Sequence, residues 1–255
     1  MKRAWAPPAI AVISVLALWE LLTRSGILNP SHIPPMTDTV AELFELLGES
    51  SFWSAVSSTL QGWGLGLGIA AALAIPLGIV IGSSPLAYRA VRFVVEFLRP
   101  IPSVALVPLA VLIYGVGLES KVFLAAFASF WPLFVQTLYG VRDVDPVATD
   151  TARSFGLGSF ERLWRIKLPS AVPYIATGLR ISSAVALILA VTAEIVIGSA
   201  GLGREINVAR SSGAIELMYA LIITTGMLGW ALNVLTTRAE RRVLHWHPSQ
   251  RQVAA

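Results

Sequence analysis

The chain has 255 residues, of which 55% are hydrophobic and 13% charged, and its mean hydropathy is +0.71. Soluble domains carry roughly 25% charged residues, so this composition argues against a soluble monomer and indicates that lipid surrounds most of the chain. The absence of cysteine excludes disulfides, thiol nucleophiles and cysteine-based zinc sites, and three scattered histidines make a poor metal site. The net charge of +4 is then more typical of membrane orientation than of nucleic-acid binding.

Six apolar runs approach the roughly 20 residues that a helix needs to cross a bilayer. They lie at about 7–23, 60–82, 100–117, 121–141, 172–198 and 214–237. The first run could be a signal peptide, but no small-residue cleavage site follows it, which favours an uncleaved helix. The sequence therefore predicts an all-α polytopic membrane protein with six transmembrane helices.

Basic residues predict the orientation of these six spans. With the N-terminus in the cytoplasm, fourteen Lys and Arg residues fall in cytoplasmic segments, and four fall outside: Arg24, Lys121, Arg204 and Arg210. Cytoplasmic loops of membrane proteins carry the excess of Lys and Arg. Both termini are therefore predicted to be cytoplasmic.

The second span carries small residues at every fourth position. This row consists of Gly62, Gly66, Ala70, Ala74, Gly78 and Gly82, and a neighbouring row consists of Gly64, Gly68 and Ala72. Such stripes let helix backbones approach closely in a membrane, which predicts a helix inside a bundle. The alternative is that glycine and alanine are simply common in membrane helices.

The third span is interrupted by Pro100, Pro102 and Pro108. Each proline removes an amide donor and disfavours helix in the residue before it. Irregular backbone at membrane depth requires cover by protein or by a water-filled cavity. Pro102 is therefore a candidate for the wall of a translocation path, and a kink that serves packing alone is an equally good interpretation.

Three polar residues within the spans are candidates for function. Gln136 and Glu194 are assigned with Pro102 to the candidate path, because a polar side chain at membrane depth is costly and often functional. For Glu194 the alternative is a structural partner on a neighbouring helix. Arg180 is expected to extend towards lipid phosphates.

An intramembrane enzyme of unknown chemistry is the competing functional class. No histidine lies in a predicted span, so a Ser-His dyad has no base, and the aspartates lie in loops. The segment from Gly198 to Gly203 resembles the start of a phosphate-binding loop, but Arg204 and Glu205 occupy the positions of its lysine and hydroxyl residue. We interpret this segment as a turn after the fifth span.

The segment 142–171 has the pattern of two short helices. Asp145 can cap a helix that Pro146 starts, Arg153 suits its negative end, and Gly156 can close it in a left-handed conformation. A second helix is predicted to start at Ser159 and to stop before Pro169. Two helices around a glycine form an exposed projection typical of a docking element.

The same segment carries a family motif. Asp150-Thr-Ala-Arg-Ser-Phe-Gly156, nine residues and then Ile166-Lys-Leu-Pro169 resembles the E-A-A-x3-G-x9-I-x-L-P motif of the membrane subunits of bacterial ABC importers. The spacing is kept, and the motif positions that match are Ala152, Gly156, Ile166, Leu168 and Pro169. Asp150 replaces the motif glutamate and Thr151 its first alanine. The segments 98–102 and 193–203 look like those of nitrate, sulfonate and taurine permeases.

This resemblance implies a type I ABC importer permease bundle in a bacterial inner membrane, with both termini cytoplasmic. The implied partners are an ABC ATPase dimer, an extracytoplasmic solute-binding protein and a second permease copy, favouring a homodimer. A loop of about thirty residues cannot fold a nucleotide-binding domain, so the chain is expected to be a transport subunit that binds no cofactor, with ATP bound by the partner ATPase.

The resemblance also implies how the chain is divided. Residues 1–55 would form a transmembrane helix and an extracytoplasmic loop, 56–238 the permease core with an ATPase-coupling loop at 142–171, and 239–255 a cytoplasmic tail. The cargo stays open among sulfonates, taurine, nitrate, bicarbonate and vitamin precursors.

Overall fold

The computed structural model describes residues 6–245, and every regular element in that range is a helix. A 3₁₀ turn, Ser103–Leu106, precedes α5, and a π-helical turn, Leu163–Lys167, joins α8 to α9. The helices are α1 (Ala6–Arg24), α2 (Met36–Leu46), α3 (Ser50–Ser83), α4 (Pro85–Leu98), α5 (Val107–Tyr114), α6 (Leu118–Arg142), α7 (Pro146–Ser154), α8 (Ser159–Arg162), α9 (Leu168–Ile197), α10 (Leu202–Ser212) and α11 (Ile215–Val243).

Within residues 6–245, four long helices are apolar enough to cross a membrane: α3, α6, the continuous Ser159–Ile197 helix and α11. A fifth span results if α4 and the helical pair Ser103–Tyr114, bent by 83°, are counted as one. The first predicted span coincides with α1. The all-α polytopic architecture is confirmed, and the predicted count of six spans is not.

Helix α3 packs against α6 through the row of small residues predicted to lie in a bundle. All six members of that row are buried. A Cβ added to Gly66 would lie 2.6 Å from the Cβ of Ala125, and one added to Gly78 would lie 2.8 Å from the Cβ of Thr137. The neighbouring row is exposed on this chain, with open space beside Gly64 and Gly68. The first row therefore sets the spacing of α3 and α6.

Helix α9 completes a three-helix core with α3 and α6. A Cβ added to Gly178 would lie 3.0 Å from the Cβ of Gln136, so the two helices are in close contact there. The Ser182 hydroxyl donates to the Ser129 carbonyl at 2.7 Å, and both residues are fully buried. Ala186 and Ala190 are also fully buried. Small side chains therefore bring all three helices together.

The segment before the third predicted span differs from the prediction. Residues 85–98, predicted as part of a cytoplasmic connection, form the helix α4, and the following span reduces to an eight-residue α5. The sequence of α4 does not form an apolar run, because it contains charged residues, including the Arg92–Glu96 pair at 2.6 Å. The chain bends sharply where Pro100 and Pro102 remove two amide donors.

The start of the predicted tail also differs. Helix α11 continues to Val243, past the predicted boundary at residue 239. The predicted residues 246–255 of the tail, like Lys2 and Arg3, lie outside the described residues.

Candidate functional site

The segment 142–171 begins with the predicted capped helix. The Asp145 carboxylate accepts a hydrogen bond from the Val147 amide at 2.8 Å, and Pro146 occupies the first helical position of α7. At the other end Gly156 has a φ of +78°, in the left-handed region that favours glycine. The Leu157 amide donates to the Ala152 carbonyl at 3.0 Å, which closes the helix in a Schellman-type cap. The predicted cap, helix and left-handed glycine are confirmed.

The second helix of this segment starts at Ser159 as predicted but does not stop before Pro169. It continues through the π turn Leu163–Lys167 into α9, and Pro169 lies in the first turn of α9. The wider π turn accommodates a residue that lacks an amide donor. The prediction of a stop was wrong because proline is tolerated where the helix locally changes its hydrogen-bond pattern.

The motif residues divide into a buried and an exposed set. Ala152 is buried at 6% exposure, and Ile166 and Leu168 are half-buried. Asp150, Gly156 and Pro169 are exposed. Within this chain the apolar members of the motif therefore hold the projection together, while its rim is accessible.

Three aromatic side chains, none of them among the predicted site residues, are highly exposed on the projection. Phe155 is 80% exposed, Phe160 77% and Trp164 66%. Large apolar groups grouped on an otherwise polar surface are typical of a protein–protein contact. The only signal in the sequence was three aromatic residues within ten positions of a polar loop.

The projection is joined to the ends of the core helices. The Arg142 guanidinium lies 3.5 Å from the ring centroid of Tyr88 in α4, a cation–π contact. The Tyr174 hydroxyl in α9 donates to the Asp143 carboxylate. A cleft lined by Gly82, Val141, Asp150 and Lys167, among others, lies where α3 and α6 meet the projection. A displacement of the projection would therefore also displace the ends of α3, α4, α6 and α9 that it contacts.

The three candidate path residues are separated in the structure. Pro102 is exposed at the break before the 3₁₀ turn, and Gln136 is half-buried on α6 beside Gly178. Glu194 is fully buried, 0% exposed, and its carboxylate is enclosed by protein rather than facing an open cavity. The structure therefore favours the alternative interpretation of Glu194, a structural partner for a neighbouring helix.

The partner of Glu194 is Lys121, which lies in the first turn of α6. Lys121 Nζ lies 2.9 Å from Glu194 Oε1, and the two side chains are 1% and 0% exposed. Lys121, counted from the sequence among the four basic residues outside, is therefore a buried helical residue and not an exposed cation. The pair could not be recognised in the sequence, because its two members are 73 positions apart. The one feature of the sequence that pointed to this ion pair was a lysine at the start of an apolar run.

Arg180 also has a partner within the chain, rather than only lipid phosphates as expected. Its guanidinium lies 3.3 Å from the Glu240 carboxylate of α11, and its side chain is 41% exposed. This ion pair joins α9 to α11 near the end of the bundle that carries the projection.

The chain belongs to the family described as the binding-protein-dependent transport system inner membrane component, whose model matches residues 74–245. It is 30% identical over 238 residues to the taurine transport system permease protein of Escherichia coli K12, covering 91% of this chain and 86% of that protein. It is 26% identical to a putative aliphatic sulfonates transport permease of Bacillus subtilis, covering 97% of this chain and 90% of that protein. The nitrate import permease of Leptolyngbya laminosa is 29% identical, with 95% and 88% covered.

Solved transporters share the fold. The inward-facing methionine ABC transporter MetNI matches with a TM-score of 0.64 at 18% identity, over 76% of this chain and 96% of that chain. A bacterial ABC importer of alginate matches with a TM-score of 0.60 at 18% identity, over 95% and 97%.

Family and fold together define the class of protein. The chain is an ABC importer permease, an inner-membrane transport subunit and not an enzyme, and ATP is bound and hydrolysed by a separate ATPase subunit. Importers of this class work with an ATPase and a substrate-binding protein.

Proposed function

We propose that two copies of this chain form the translocation path for a small solute that a solute-binding protein delivers. Sulfonates, taurine and nitrate are the favoured cargo, because the curated relatives named above carry those names. Bicarbonate and vitamin precursors belong to the wider range that the sequence resemblance implies. In this proposal Pro102, at the exposed break between α4 and α5, and Gln136 contribute to the path.

The projection formed by α7 and α8 carries the proposal. Phe155, Phe160 and Trp164 expose apolar surface at the edge of a capped element. The hydrogen bond from Tyr174 of α9 to Asp143 joins the segment that leads into this element to the core. We propose that the motif residues Asp150, Ala152, Gly156, Ile166, Leu168 and Pro169 form the site at which the ATPase docks. ATPase closure would displace this site and thereby move the core helices.

Reconstitution tests the proposal. The chain would be purified with its ATPase and reconstituted in proteoliposomes, and the solute-binding protein encoded beside it would be screened for thermal shifts with taurine, alkanesulfonates, nitrate, bicarbonate and pyrimidines. We expect one solute of this panel to stabilise the binding protein and to be taken up in an ATP-dependent manner. The control is the same complex with a hydrolysis-deficient ATPase. ATP hydrolysis by the purified permease alone, or uptake without the binding protein, would contradict the proposal.

The proposed orientation places both termini and residue 156 in the cytoplasm and residue 204 outside. With Lys121 buried, three of the four basic residues counted as outer remain there, Arg24, Arg204 and Arg210, which strengthens the positive-inside bias. Single cysteines introduced at positions 156 and 204 of this cysteine-free chain can be labelled with an impermeant maleimide in intact spheroplasts. We expect labelling at 204 only, whereas labelling at 156 only would reverse the orientation.

A further inference from the structure

The Lys121–Glu194 pair lies at the end of the core opposite the projection. The N-terminal parts of α3 and α6 meet the C-terminal end of α9 there, and the opposite ends of these helices meet the segment 142–171. In the proposed orientation the pair is extracytoplasmic. It therefore lies on the side from which a solute-binding protein approaches.

The carboxylate of Glu194 holds the start of α10. Its Oε2 accepts from the Gly203 amide at 2.9 Å and from the Thr59 hydroxyl at 3.0 Å. Thr59 Oγ1 in turn accepts from the Leu202 amide at 2.9 Å. The first amides of α10, which lack partners within a helix, are therefore bound by side chains of α3 and α9.

The ammonium group of Lys121 completes the connection. Besides Glu194, its Nζ donates to the Ser58 carbonyl at 2.9 Å and to the Ala200 carbonyl at 2.8 Å. An ammonium has three donors, so this geometry uses all of them. One buried side chain thus joins α3, α6, α9 and the turn between α9 and α10.

Glycines allow the turn between α9 and α10 to pass close to the Lys121–Glu194 pair. Gly201 has a φ of +146°, and a Cβ there would lie 2.1 Å from Glu194 Oε1. A Cβ on Gly203 would lie 2.4 Å from the Val191 carbonyl oxygen. The glycines that resemble part of a phosphate-binding loop are therefore required for close approach to a carboxylate.

Helix α10 exposes one face beyond this attachment. Arg204 and Val208, one helical turn apart, are exposed, while Leu202 and Ala209 are buried against the core. The hydrogen bonds of the Leu202 and Gly203 amides at its N-terminus, together with a hydrogen bond from the Asn207 side chain to the Ile195 carbonyl at 3.4 Å, connect α10 to the core helices.

We propose that Thr59, Lys121 and Glu194 are positioning residues that lock α10 to the three core helices, so that docking of the loaded binding protein on α10 is transmitted to the core. The proposal rests on the proposed import function. It assigns the buried charges to signal transmission from the outer face and not to contact with the cargo.

Thr59→Val tests this role because it removes both hydrogen bonds of the hydroxyl and keeps the shape and the ion pair. Thr137→Val is the matched control: Thr137 is equally buried, and its hydroxyl donates only within its own helix, to the Leu133 carbonyl at 2.8 Å. Each variant would be assembled with the ATPase in proteoliposomes. Amide hydrogen exchange of residues 198–205 and the stimulation of ATP hydrolysis by the binding protein, loaded with the solute identified in the panel, would then be measured.

For Thr59→Val we expect normal assembly and basal ATP hydrolysis, at least tenfold faster exchange at Leu202, and loss of at least four-fifths of the stimulation. Thr137→Val should behave as the wild type. Normal stimulation by Thr59→Val would overturn the proposal, and so would failure to assemble, because the cluster would then serve the fold alone. If the wild-type complex itself shows no stimulation, the import function fails, while the exchange measurement still reports whether Thr59 holds α10.

Discussion

Lys121→Met is expected to remove most of the folded permease from the membrane. The substitution leaves Glu194, 0% exposed, without its counter-charge. It also removes the ammonium donor from the Ser58 carbonyl and from the Ala200 carbonyl, which keeps only its hydrogen bond from the Ser58 hydroxyl. Loss of one partner of a buried ion pair costs about 3–5 kcal/mol. That is a large part of the roughly 5–15 kcal/mol by which proteins are stable. The yield of monodisperse protein after detergent extraction measures the effect.

Two further variants test whether the unpaired charge causes the loss of yield expected for Lys121→Met. In Lys121→Met/Glu194→Gln no buried charge remains unpaired, and the glutamine carbonyl can still accept from Thr59 and Gly203, so we expect much of the yield to return. Arg92→Met breaks a pair whose side chains are 61% and 60% exposed and therefore well solvated, and its yield should be close to that of the wild type. The interpretation is wrong if Lys121→Met is extracted as well as Arg92→Met.

Gly156→Val is expected to abolish coupling to the ATPase while the chain still inserts into the membrane. At a φ of +78° a non-glycine residue costs about 1–2 kcal/mol, and a β-branched residue fits worst. Open space surrounds the position, so the expected damage comes from the backbone and not from a clash. The change would turn Phe155 away from its place on the projection. Co-purification of the ATPase and uptake of the cargo measure the loss, which we expect to exceed tenfold.

Gly158→Ala is the matched control for this substitution. Gly158 lies in the same loop and also has open space around it, but its φ is −63°, which any residue adopts. Gly156→Ala should give an intermediate loss, and Gly158→Ala should retain the ATPase and uptake of the wild type. Equal effects of the two alanine variants would contradict the role of the left-handed turn.

Features that depend on nearby residues were predictable from the sequence. Asp145 caps α7, Gly156 ends it, and the small residues of α3 face a neighbouring helix, because each depends on local backbone geometry or on the 3.6-residue period of a single helix. The family motif was recognisable for a similar reason, since it lies within twenty residues of one loop. The membrane class followed from composition alone, because lipid tolerates few charges.

Features that depend on distant segments required the tertiary structure. Nothing near Lys121 in the chain indicates Glu194, because the first turn of α6 and the end of α9 meet only when both pack against α3. For the same reason the segment around Gly201 could be interpreted only as a turn after the fifth span. Its conformation follows from the Glu194 carboxylate that it encloses. Hydropathy reports how a side chain interacts with lipid, and it cannot distinguish a charge in a loop from a charge whose partner arrives from another helix.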